Sequence, residues 1–156
     1  MSTTTQYAVP QTHSGPLQPA GWWARVGATV LDGVAILVLS LAFAFLGVIA
    51  GGAEGAAMAF IVAYFCLIVL YAPVMLVAWD GQTLGKRAVD IRVVKLDEGS
   101  IGFWRAVLRE IVVKGLLAFT ALLYWLAALW PLWNGLHRAW WDYASGTRVV
   151  RGREVR

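Results

Sequence analysis

Residues 21–49 read GWWARVGATVLDGVAILVLSLAFAFLGVI, and this stretch decides the fold. From Val26 to Ile49 it carries a single charge, Asp32, in an otherwise apolar run. As an α-helix rising about 1.5 Å per residue, the run is long enough to cross a hydrocarbon core about 30 Å thick. A carboxylate inside such a helix is costly, so it faces protein or water and has a task there. Arg25 lies on the same helical face but about two turns earlier, so each of the two is expected to find its partner on another element.

The rest of the chain extends this picture. Hydrophobic residues make up 60% of the 156 positions and charged ones 14%, a balance that excludes an ordinary soluble domain. Nine Trp and five Tyr suit rings that settle at a water–lipid interface. Spans are expected at about 26–49, 58–79 and 111–133, within a membrane domain covering 20–156. Residues 1–19 are rich in Thr, Gln and Pro without Lys or Arg, and read as a disordered tail that is not a signal peptide.

Charge sets the expected topology. The connection at 50–57 has one acid and no base, whereas residues 80–110 hold Lys86, Arg87, Arg92, Lys95, Arg105 and Arg109. By the positive-inside rule that loop and the N-terminus are cytoplasmic, and the first two spans form a helical hairpin. Ala88–Leu96 is β-branched and roughly alternating, with a turn at Asp97-Glu98-Gly99, which predicts a small cytoplasmic β-hairpin. TRVV at 147–150 would add a third strand from the C-terminal tail, residues 137–156. Residues 111–136 are too few for two full spans and a turn. A segment that enters and returns, bent near Trp130-Pro131, reconciles the counts; a plain third crossing is the alternative. The expected fold is an all-α membrane protein: a transmembrane hairpin, a third re-entrant or bent hydrophobic segment, and the β-hairpin.

Several charged residues invite a functional reading, each beside a plainer one. Arg25 is as well explained by an interfacial anchor, and Asp32 by a polar tie between helices, as by ion or proton handling. In DGQTLGKR, residues 80–87, Thr83 suits a cap and Lys86 and Arg87 suit either topology-setting bases or a cytoplasmic mouth and lipid head-group site. Arg105, Arg109, Glu110 and Lys114 recur at helical spacing, as in an interfacial helix whose charges are mostly solvated. Arg109 is also free to approach Asp32 across the bundle. Cys66 is the one cysteine and His137 the one histidine outside the tail, so neither a disulfide nor a metal site is expected. With no Ser/His/Asp or Cys/His grouping, the chain is not expected to be an enzyme, to need a cofactor or to bind nucleic acid. The expected partners are the bilayer and its anionic lipids, and further copies of the chain or a larger membrane complex.

Three patches in this order, GWWARVGATVLDG, DGQTLGKRAVDIRVVKLDEGSIGFWRAVLRE and WWDYASGTRVV, resemble the RDD family of small bacterial membrane proteins, named for one Arg and two Asp. The resemblance runs from about Gly21 to Val150. It implies that Arg25, Asp32 and Asp142 match the family's Arg and two Asp residues. It also implies a multi-span protein of the bacterial plasma (inner) membrane, for which transport has been proposed. Trp141 stands where many relatives have His, which weakens any proton relay built on such a His. The expected function is monovalent cation/proton transport through Asp32; the alternative is a non-catalytic accessory subunit or assembly factor.

Overall fold

A computed structural model of the chain describes residues 18–96, 100–118 and 120–152. Its largest element is one apolar helical run, Trp22–Ala78, of 57 residues. The run is broken at Gly51 and Gly52, where Gly52 takes φ 61° and ψ −145°, a combination that side chains with a Cβ avoid. The break creates two arms, α1 (residues 22–50) and α2 (residues 53–78), which fold back on one another. Near the turn the arms pack tightly at Gly47 and Gly55, where neither backbone leaves room for a side chain. The connection expected at 50–57 is therefore a two-residue break. Residues equidistant from it face each other.

Along both arms the large apolar side chains point outward: Ile49 is 74% exposed and Phe65 70%. Water would not tolerate so continuous an apolar surface, so its natural surroundings are lipid or other helices. The packed core sits at the opposite end from the Gly51–Gly52 turn. There Ala20, Ala28, Leu76, Ile91, Val93, Ala106 and Val149 form one buried cluster, hereafter the head.

The head is completed by short elements. α3 (Leu84–Ala88) follows α2 and leads into β1 (Ile91–Lys95). α4 (residues 103–118) contains a π-helical turn, Leu108–Val113, and α5 (Ala121–Leu129) ends in the 3-10 turn Trp130–Leu132. α6 (Trp140–Ala144) and β2 (Thr147–Arg151) close the chain.

The sheet corrects the expected β-hairpin. β1 pairs antiparallel with β2, Val93 opposite Val149, not with a neighbour in its own loop. The stretch after residue 99 offers no second β-branched run and enters α4 at Phe103, whereas TRVVR does offer one. The turn expected at Asp97-Glu98-Gly99 lies outside the described residues, as does most of the segment read as a disordered tail. Its last residue, Pro19, bridges Val150, and the Ala20 N–H donates to the Val149 carbonyl at 2.9 Å. The N-terminal segment thus adds a single bridge to the outer side of β2, and the sheet itself has two strands.

The hydrophobic stretch after residue 110 is interrupted. Thr120 is extended between α4 and α5, and Pro131 lies in the 3-10 turn. The Lys114 ammonium lies 5.3 Å from the centre of the Trp141 ring, and Trp22 Nε1 donates to the Ala128 carbonyl at 3.0 Å. Both partners belong to the head, so this segment leaves the head and comes back to it.

Candidate functional site

Arg25 and Asp32 do not meet. Each anchors a separate constellation, one holding α3 and the other holding the two ends of the chain together.

Asp32 lies on α1 where α2 and α3 converge. Its Oδ1 accepts from the Tyr71 hydroxyl at 2.8 Å and the Gly85 N–H at 2.8 Å; its Oδ2 accepts from Thr83 Oγ1 at 2.5 Å. Tyr71 in turn accepts from the Leu84 N–H at 3.2 Å, and Thr83 Oγ1 accepts from the Lys86 N–H at 3.3 Å. The first three N–H groups of α3, which have no partners within the helix, are thus all satisfied. Hydrogen bonds to an ionised acceptor are the stronger kind, so the carboxylate is a bolt joining three elements. Gly85 makes the approach possible: a Cβ there would overlap the Ala28 carbonyl.

Asp142 is fully buried. Its Oδ2 accepts from Arg25 Nη1 at 2.7 Å and from the Ala139 N–H at 3.1 Å. Its Oδ1 accepts from Arg109 Nη2 at 2.7 Å and Nε at 3.1 Å. Arg109 continues the line to Glu110 at 2.6 Å, and Glu110 pairs with Lys114. The result is an alternating ion chain, Arg25–Asp142–Arg109–Glu110–Lys114. Arg25 also donates to the carbonyl of His137. His137 holds φ 51°, a strained value for a residue with a side chain, and that conformation turns its carbonyl toward Arg25.

These contacts revise three expectations. Arg109, only 2% exposed, and Glu110, 6% exposed at its side chain, are not a solvated face. The π turn turns both neighbours into the head, which regular helical spacing does not anticipate. Arg109 pairs with Asp142 and not with Asp32. The four bases expected at a mouth or head-group site are not equally exposed: Arg109 is internal, Arg105 is exposed and Arg87 lies 5.3 Å over the Trp79 ring, while Lys86 is partly buried.

Burial pushes the Asp142 carboxyl up, but Arg109 and Arg25 outweigh it and hold the group below its ordinary value. Glu110 behaves alike: burial raises it, and Lys114, Arg109 and Lys86 more than reverse this. A carboxyl depressed in the folded state stabilises fully above its unfolded value and loses that contribution as pH falls through the folded value. With reference values of 3.8 and 4.5, the purified protein should keep its melting temperature from pH 7 to about 5 and lose it progressively below about 4. Thermal unfolding in detergent across that range checks this; a melting temperature unchanged at pH 3 would contradict the ion chain.

Tyr71 and the His137 carbonyl are the partners that sequence reasoning missed; helical spacing pairs Glu110 with Lys114, as found, but does not foresee its contact with Arg109. Tyr71 was findable: a turn placed at Gly51–Gly52 sets it opposite Asp32. No group of three or more His, Cys, Asp or Glu side chains suited to a metal occurs among the described residues.

Residues 19–146 match the model of the RDD family. The chain is 34% identical over 101 residues to a Bacillus subtilis (strain 168) protein named "Uncharacterized protein YckC"; the aligned stretch covers 64% of this chain and 62% of that protein. No solved structure matches.

Proposed function

The chain belongs to the RDD family of membrane proteins, and from that premise we propose that it is a non-catalytic accessory module of the bacterial plasma membrane. In this reading the two arms cross the bilayer as a hairpin with the N-terminus cytoplasmic, and α4–α5 dips in and returns. The head lies at the cytoplasmic surface, where its bases sit. The outward faces of the arms are available to a larger membrane subunit or to further copies.

The observation that carries this reading is the full occupation of Arg25, Asp32 and Asp142 by partners within the chain. A carboxylate that exchanges a proton for a cation needs a coordination position it can vacate. Asp32 instead accepts three hydrogen bonds that fix α3. Small residues of the kind that let helices dock closely are used internally, Ala28 against Gly85 and Gly55 against Gly47. Docking would therefore use the larger apolar side chains.

The transport reading keeps one point in its favour, a carboxylate at the head of an apolar hairpin, and one experiment separates the two. Wild type and Asp32→Asn are reconstituted into vesicles, and pH change is followed on addition of Na⁺, K⁺ or Li⁺, with folded protein quantified in parallel. The expected result is no cation-driven signal from wild type, together with a loss of about 2 kcal/mol of stability in Asp32→Asn as charged hydrogen bonds become neutral ones. A cation-dependent signal that disappears in Asp32→Asn at unchanged stability would establish transport instead.

A further inference from the structure

Beside the ion chain a cleft of about 270 Å³ opens between the first turns of α1 and the length of α5. Its volume is near the lower end for small-molecule sites, enough for a slender part of a ligand. Trp22, Val26, Val30, Trp125 and Leu129 make its walls mostly apolar. The polar groups that reach it include Arg25, Lys114 and Tyr124.

Arg25 and Lys114 are the two end members of the ion chain. Its three cations and two anions leave one positive charge without a counterion inside the chain. An uncompensated charge next to an apolar phase is costly. The surplus is presented to the cleft: the side chains of Lys114 and Arg25 are 26% and 14% exposed, whereas Asp142 and Arg109 are closed off. A ligand with one negative charge and an apolar tail therefore complements the cleft in both respects.

We propose that this cleft holds one anionic phospholipid, with its phosphate at Lys114 and the Tyr124 hydroxyl and the start of an acyl chain along Trp22, Val26 and Trp125. The site is separate from the exposed bases Arg87 and Arg105. It requires only the membrane setting, so it stands or falls independently of the accessory role.

The test is native mass spectrometry of the delipidated full chain, offered equal amounts of phosphatidylglycerol and phosphatidylcholine with identical acyl chains. One phosphatidylglycerol should remain bound in preference to phosphatidylcholine, and inorganic phosphate should not displace it. Lys114→Gln should reduce the preference about fivefold, the factor expected for one lysine at an anionic surface. Val30→Phe, at an exposed position on the cleft wall, should reduce retention of the lipid without disturbing the ion chain. Equal retention of the two lipids, or a preference unchanged in both variants, would overturn the proposal. So would displacement by inorganic phosphate, which needs no apolar wall.

Discussion

Asp142→Asn is expected to cost about 3–5 kcal/mol, a large share of the roughly 5–15 kcal/mol that holds a domain folded, although the side chain barely changes shape. Asp142 is the counterion of Arg25 and Arg109 together, and the Arg109 guanidinium is buried. Removing the carboxylate charge strands two cations that were desolvated on folding, a far larger penalty than losing a surface ion pair. Yield of monodisperse protein and unfolding in a denaturing detergent measure the effect. A purely electrostatic cause has a further signature. Replacing Arg25 and Arg109 by Met and Asp142 by Leu in one chain should recover much of the lost stability, because apolar side chains of similar volume leave no charge uncompensated. If the triple variant were as unstable as Asp142→Asn, the cost would lie in packing and the charge argument would fail.

Gly85→Val is expected to have the second largest effect, roughly 3–5 kcal/mol. Its Cβ would overlap the Ala28 carbonyl and crowd the Asp32 carboxyl, and a backbone atom cannot rotate away. α3 must move off α1, which strains the packing and breaks the Gly85–Asp32 hydrogen bond. Amide exchange should accelerate at 83–88 while the far ends of the arms stay protected. Leu84→Ala is the matched control: Leu84 is exposed, so a change there should move stability little. Comparable losses in both variants would mean that α3 is simply intolerant of substitution.

Much of this was legible in the sequence because hydropathy and charge report directly on solvent. The apolar runs gave the helical arms, the isolated charges gave Arg25 and Asp32 as residues with partners elsewhere, the family resemblance singled out Asp142, and Pro131 marked a bend. What escaped depends on pairing across long separations. β1 and TRVV both read as strands, but that they pair directly with each other, with no hairpin partner between them, is set by contacts far apart in the chain. Periodicity also presumes a regular helix, so a π turn that brings Arg109 and Glu110 inward has no visible trace. The exchange of partners, Arg25 to Asp142 and Asp32 to Tyr71 and Thr83, needed a third dimension.

The separation between Arg25 and Asp142 has a consequence during synthesis. The arginine leaves the ribosome 117 residues before the aspartate that neutralises it. At roughly 5–20 residues per second, that is a wait of about 6–23 s with the first arm already made. Until then Arg25 has neither Asp142 nor the His137 carbonyl, and the edge of β1 has no β2. A chain released early, or cut before Asp142, cannot close its head and presents an unpaired strand and stranded cations to the membrane's proteases. The last fifth of the polypeptide thus acts as a certificate of completeness, and shortened products of this gene should be cleared from the membrane quickly while the full-length chain persists.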